Sequence, residues 1–153
     1  MTIPNADHIG LMLNVLQDHI HDMNELKGFH DDRPQQRDFL AERGYDFDAY
    51  NTNLAQWQGN KLLLIVSEVV EAHDEIRNGR AANETYYPTA RPNEDGTWAE
   101  WGTFKPEGVP SEIADTVIRC FDFAGTEGFD LGAIILEKLA YNSTRGYKHG
   151  KQF

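Results

Sequence analysis

Cysteine is almost missing from this chain: Cys120 is the only one among 153 residues. A single thiol excludes an internal disulfide and a thiolate metal cage built from one chain, so Cys120 reads as a small, inert hydrophobe. Long apolar runs are missing too. The longest, Leu62 to Val66, falls far short of the roughly 20 residues that cross a bilayer. The opening stretch MTIPNADHIG lacks the basic start and apolar middle of a secretory signal. These absences lead us to expect a cytoplasmic protein with no membrane partner. Positive charge is also scarce, with 14 Lys and Arg against 25 Asp and Glu and a formal charge of -11. A nucleic-acid backbone would be repelled by such a surface, so no nucleic-acid partner is expected.

What is present is helical periodicity. A hydrophobic content of 40% at this length allows one domain, residues 1–153, with its own core. Ile9, Met12, Leu13, Leu16, Ile20, Met23 and Leu26 recur at steps of three and four, which predicts an amphipathic helix over 6–27 stopped by Gly28. A short helix through QQRDFLAER is plausible. A longer one, from about Thr52 to Asn78, carries the apolar stripe Leu54, Trp57, Leu62, Ile65, Val69, Ala72 and Ile76 and stops at Gly79. Helix resumes at Pro110 and Ser111 with Ile113, Val117, Ile118, Phe121 and Ala124 on its buried side, and Asp130 can cap a last helix, LGAIILEKLAYNSTR. Residues 80–109 break the pattern with prolines, aromatics and an Asp95-Gly96 pair, the signal of an inserted loop or small hairpin. The fold class expected is all-α: a four-helix-type bundle with that insertion.

Acids stand where an oily face should be. Glu68, Glu71 and Glu75 fall within roughly a 60° arc of one helix, since each residue turns about 100°. Like charges so placed repel unless something positive lies opposite. The pattern recurs on the next helix, where Glu112 and Asp115 are three apart and are followed by Val117 and Ile118. Both pairs lie among apolar neighbours, so neither helix offers them a purely polar side. Four carboxylates from two helices make an oxygen-only cage, which suits a hard divalent cation: Mg2+, with Mn2+ as a substitute.

The last helix and tail carry the opposite sign. Lys138, Asn142 and Arg145 stand on one face and Lys148, His149 and Lys151 follow. Such a group suits a phosphorylated ligand, although the helix dipole also favours cations there. His8 and His19 lie eleven apart on roughly one face of the first helix and His21 points elsewhere; with Asp18 and Asp22 nearby they read as solvated helix surface.

The segments KLLLIVSEVVEAHDEIRNG, KPEGVPSEIADTVIRCFDFAG and KLAYNSTRGYKHGKQF resemble the MazG-like members of the all-α NTP pyrophosphatase superfamily, with their E-x-x-E and E-x-x-D helix pairs and basic closing segment. The resemblance covers about the C-terminal two thirds apart from the insertion. It implies hydrolysis of a nucleoside triphosphate between the α and β phosphates, with Mg2+ held by Glu68, Glu71, Glu112 and Asp115 and with Glu68 or Glu71 orienting the water. It also implies substrate contacts at Lys138, Asn142, Arg145, His149 and Lys151, with Lys61 as a further candidate, and a homodimer or homotetramer. Two departures stand out. Many relatives have a glutamate where this chain has Ser67, so the ligand set is either thinner or completed by Glu75, and residues 80–109 lengthen the connection between the two acidic pairs.

Two other readings use the same residues. A carboxylate di-iron protein would need Glu-x-x-His on two helices, yet Asp74 and Asp115 stand at those positions and His73 is on another face. A non-catalytic nucleotide-binding or partner-binding module would use Trp98 and Trp101 as an interaction surface.

Overall fold

A computed structural model of the chain describes residues 3–41, 44–88 and 104–146. The fold is all-α, built on four helices: α1 (Ala6–Leu26), α2 (Phe47–Arg77), α3 (Val109–Glu127) and α4 (Leu131–Ser143). Among the described residues the extended structure amounts to two short strands, β1 (Leu40–Ala41) and β2 (Gly44–Tyr45), paired antiparallel with Leu40 opposite Tyr45, and one isolated bridge between Tyr86 and Glu107. In place of the short helix expected through QQRDFLAER there is a 3-10 turn, Gln36–Phe39. The Asp95-Gly96 turn, Trp98, Trp101, Lys148, His149 and Lys151 lie outside the described residues. No helix among the described residues is long and apolar enough to cross a membrane.

The chain forms two compact units, one comprising Met1–Arg33 with Phe121–Phe153 and the other Pro34–Cys120. In the first, α1 packs against α4. Buried Gln17 joins them: its amide donates to the Phe129 carbonyl at 3.0 Å and accepts from the Leu131 N–H at 3.2 Å. Asp130 caps α4 as expected, accepting from Ala133 N at 2.7 Å, and Asn14 donates to its other oxygen at 2.9 Å. Those bonds hold its pKa below the usual carboxylate value.

In the second unit α2 begins earlier than its apolar pattern indicates. Asp46 accepts from Ala49 N at 2.9 Å and so caps the helix at Phe47. Tyr45 stacks edge-on against Phe47 at 4.2 Å and lies 5.9 Å from Tyr50, an aromatic cluster that steadies this entry. Trp57, Glu68 and Ala72 are the buried residues of α2. Leu62, Val69 and Ile76, expected in its apolar stripe, are exposed, as are Ile113, Val117 and Ile118 of α3 and Ile9, Met12, Leu16, Met23 and Leu26 of α1. The periodicity is right, but the elements formed by the described residues leave these rows uncovered. Phe121 and Ala124 are buried as predicted, and Cys120 is half-buried, which pushes its thiol pKa up.

Candidate metal centre

The centre forms where the first turn of α3 meets the middle of α2. Gly108 makes this possible: its φ of 103° is left-handed backbone. Its carbonyl then accepts from the N–H groups of Ser111 at 2.9 Å and Glu112 at 3.2 Å. Glu112 is thereby fixed in the first turn, where the unpaired N–H groups of the helix favour a carboxylate, yet it is only 3% exposed. Asp115 follows one turn on and is half-buried. Glu68 of α2 is 5% exposed and meets both. One carboxylate oxygen from each of Glu68, Glu112 and Asp115 can be chosen so that all lie within 4.8 Å of one another.

Charge is unevenly compensated in this trio. Arg119, one turn beyond Asp115 on α3, places Nε and Nη2 each 2.6 Å from Glu68 Oε1. Among the described residues Glu112 has no such partner, and its buried Oε2 makes no hydrogen bond. Burial pushes the Glu112 pKa up; Lys105 pulls it down, and the neighbouring charges of Glu71, Asp115 and Glu68 push it up further. Lys105 in turn donates to Glu107 at 3.1 Å, and that bond raises its pKa, with the charges of Glu112 and Asp115 adding to the effect.

These residues fit a hard divalent cation. Arg119 is bonded to Glu68 alone, the donor set is oxygen only, and among the described residues the buried Glu112 Oε2 has no donor, which protein interiors seldom tolerate. A small divalent ion between the helices would supply the missing partner and offset the mutual repulsion of the acids.

The other predicted site residues fall in several places. Glu71 is exposed, a turn along α2 from Glu68, and its charge reaches Glu112 without its joining the close trio. Glu75 is not in the close trio, and its Oε1 accepts the Tyr86 hydroxyl at 3.2 Å, which ties the base of the insertion to α2. Ser67 donates to the Leu64 carbonyl at 2.8 Å. Lys61 lies with its ammonium 4.9 Å from the centre of the Trp57 ring. Lys138, Asn142 and Arg145 are exposed on α4 and the turn after it, in the other compact unit.

Sequence reasoning missed Arg119 and Lys105. The first was findable, since it stands four residues after Asp115 on the same helix face. The second precedes the helix in an irregular segment, where no periodicity assigns a direction.

Fold and centre together define a class: an all-α protein with a carboxylate cluster shared by two helices. No protein-family model matches the chain, and neither does any curated protein or solved structure.

Proposed function

We propose that this chain is a Mg2+-dependent pyrophosphohydrolase that converts (deoxy)nucleoside triphosphates to the monophosphate and pyrophosphate. The observation behind this reading is the buried, unpartnered Glu112 Oε2 beside Glu68 and Asp115. Those three carboxylates, with Glu71 at their edge, would hold Mg2+ or, as a substitute, Mn2+. Bound there, the cation supplies charge neutralisation at the phosphates and at the pyrophosphate leaving group.

Glu71 orients the attacking water and takes its proton, because Glu68 is held by Arg119 whereas Glu71 stands exposed a turn away. The water oxygen bonds to the α phosphorus while the bond from that phosphorus to the bridging oxygen breaks. The electron pair of that bond leaves with pyrophosphate. Lys61 and Lys105, in the same compact unit as the carboxylates, are the proposed phosphate contacts, while Lys138, Asn142, Arg145, His149 and Lys151 stay those that the family resemblance implies.

Incubating a panel of canonical and modified triphosphates with Mg2+ and assaying pyrophosphate and monophosphate tests the proposal. Turnover by the wild type is expected, with a loss of about 100-fold or more in Glu71→Gln, the usual scale for a general base. Absence of turnover, or full activity in Glu71→Gln, counts against it. A non-catalytic nucleotide-binding or partner-binding module is the second reading, favoured by Arg119, which already neutralises Glu68. Triphosphate binding without turnover would support it.

The exposed apolar rows support a homodimer or homotetramer as part of the same proposal. Leu62, Leu63, Val66, Val69 and Val70 of α2 are all 47% or more exposed, and extended apolar patches on soluble proteins mark contact surfaces. Sedimentation at micromolar concentration should show an oligomer; a monomer alone contradicts this part.

A further inference from the structure

We propose a second metal site, chemically distinct from the first, in which His21, His30 and Asp122 bind a borderline divalent cation of the zinc class. The sequence pattern puts His21 on a solvated side of α1, but it is half-buried against α3. The reason is Gly125: a β carbon there would lie 2.7 Å from His21 Cβ, so only glycine lets this histidine come so close. His30 arrives from the turn that follows α1, and Asp122 and Thr126 stand one turn apart on α3.

The donor geometry is close to what such an ion needs. His30 Nε2 lies 3.0 and 3.1 Å from the two Asp122 oxygens, and His21 Nδ1 lies 3.8 Å from Oδ1. One donor atom from each residue can be chosen so that all lie within 4.8 Å of one another. Tetrahedral ligands held at about 2.0–2.1 Å from zinc stand about 3.4 Å apart, between the two separations found here. The imidazoles stack with centroids 5.0 Å apart and planes inclined by 21°.

A hydrogen-bonded His30–Asp122 pair explains only half of this arrangement. His21 Nδ1 lies 3.8 Å from the carboxylate, too far for a hydrogen bond with it; it reaches the Thr126 hydroxyl instead and is well placed to share an ion with Asp122. Thr126 points the same way. Its hydroxyl donates to the Asp122 carbonyl at 2.9 Å, which leaves oxygen lone pairs toward His21 Nδ1 at 3.4 Å and His30 Nε2 at 3.2 Å. That oxygen, or a water, can take a fourth corner. Imidazole nitrogens select zinc-like ions over magnesium, so the two clusters would sort two metals. Bound here, the ion ties α1 and its following turn to the end of α3.

The full chain, stripped with chelator and held in excess Mg2+ to engage the carboxylate centre, is titrated with Zn2+ by calorimetry and with Co2+ by visible absorption. One ion per chain is expected. His21→Ala and His30→Gln should weaken it by about 100-fold or more, since even the outer partners of metal ligands are worth about 10- to 100-fold. Glu112→Gln should leave binding and the cobalt spectrum unchanged, which separates this site from the proposed catalytic one. His21 is 26% exposed, so its alanine variant decides the matter if His30→Gln fails to fold. No binding by the wild type, or binding that His21→Ala leaves intact, overturns the proposal.

Discussion

Replacing Glu112 by glutamine should stabilise the metal-free protein and at the same time blunt its response to magnesium. The carboxylate is 3% exposed and one of its oxygens has no partner, a situation that costs about 1–3 kcal/mol. Glutamine keeps the shape, removes the charge, and offers an amide N–H to Glu68 or Asp115. Loss of the attraction to Lys105 offsets part of the gain. At about 2–4 °C per kcal/mol for a chain of this size, Tm in chelator should rise on the order of 5 °C.

Magnesium should reverse the order of the two proteins. At 100 times its Kd an ion that binds only the folded state adds about 2.7 kcal/mol, and the variant should gain much less. The pH dependence in chelator has a definite sign. Because burial raises the folded pKa of Glu112, its stabilising contribution is full below the ordinary carboxylate value and is lost as pH rises through the raised one. The gap between variant and wild type is therefore widest at neutral pH and closes toward acid. Calorimetric melts across pH, with and without Mg2+, check both statements. A variant less stable than wild type in chelator at neutral pH, or equal Mg2+ shifts in the two proteins, would refute the reasoning.

Arg119→Met should destabilise the metal-free protein by about 1–3 kcal/mol, because it strands the buried Glu68 carboxylate; Mg2+ should then restore more stability than it adds to wild type, as urea midpoints would show. Gly108→Ala should cost at least about 1–3 kcal/mol, since the backbone there is left-handed and a β carbon would run into the Glu84 carbonyl. An unchanged urea midpoint contradicts that. In isotopically heavy water the label should enter the monophosphate, as attack at the α phosphorus requires; label in pyrophosphate would contradict the assigned bond cleavage.

Much of the scaffold was legible because local rules act on neighbours in sequence. The 3.6-residue period located all four helices, and the Asp130 cap and the Gly79 stop, with φ of 86°, stand where the side-chain chemistry put them. The facing of individual residues was less legible. Glu68 and Glu71 share an arc, yet one is buried and the other exposed, since the boundary between them depends on where α3 lies and not on α2. The same limit explains Val69 and Ile113, apolar by pattern and exposed in the single chain. Pairings across long sequence separation, such as Arg119 with Glu68 and His30 with Asp122, leave no periodic trace.

Diffraction from crystals soaked in Mn2+ and collected at its absorption edge bears most directly on the carboxylate centre. An anomalous peak is predicted between Glu68, Glu112 and Asp115, about 2.0–2.3 Å from their nearest oxygens. No peak there, or one at the histidine cluster alone, would contradict a cation held between α2 and α3.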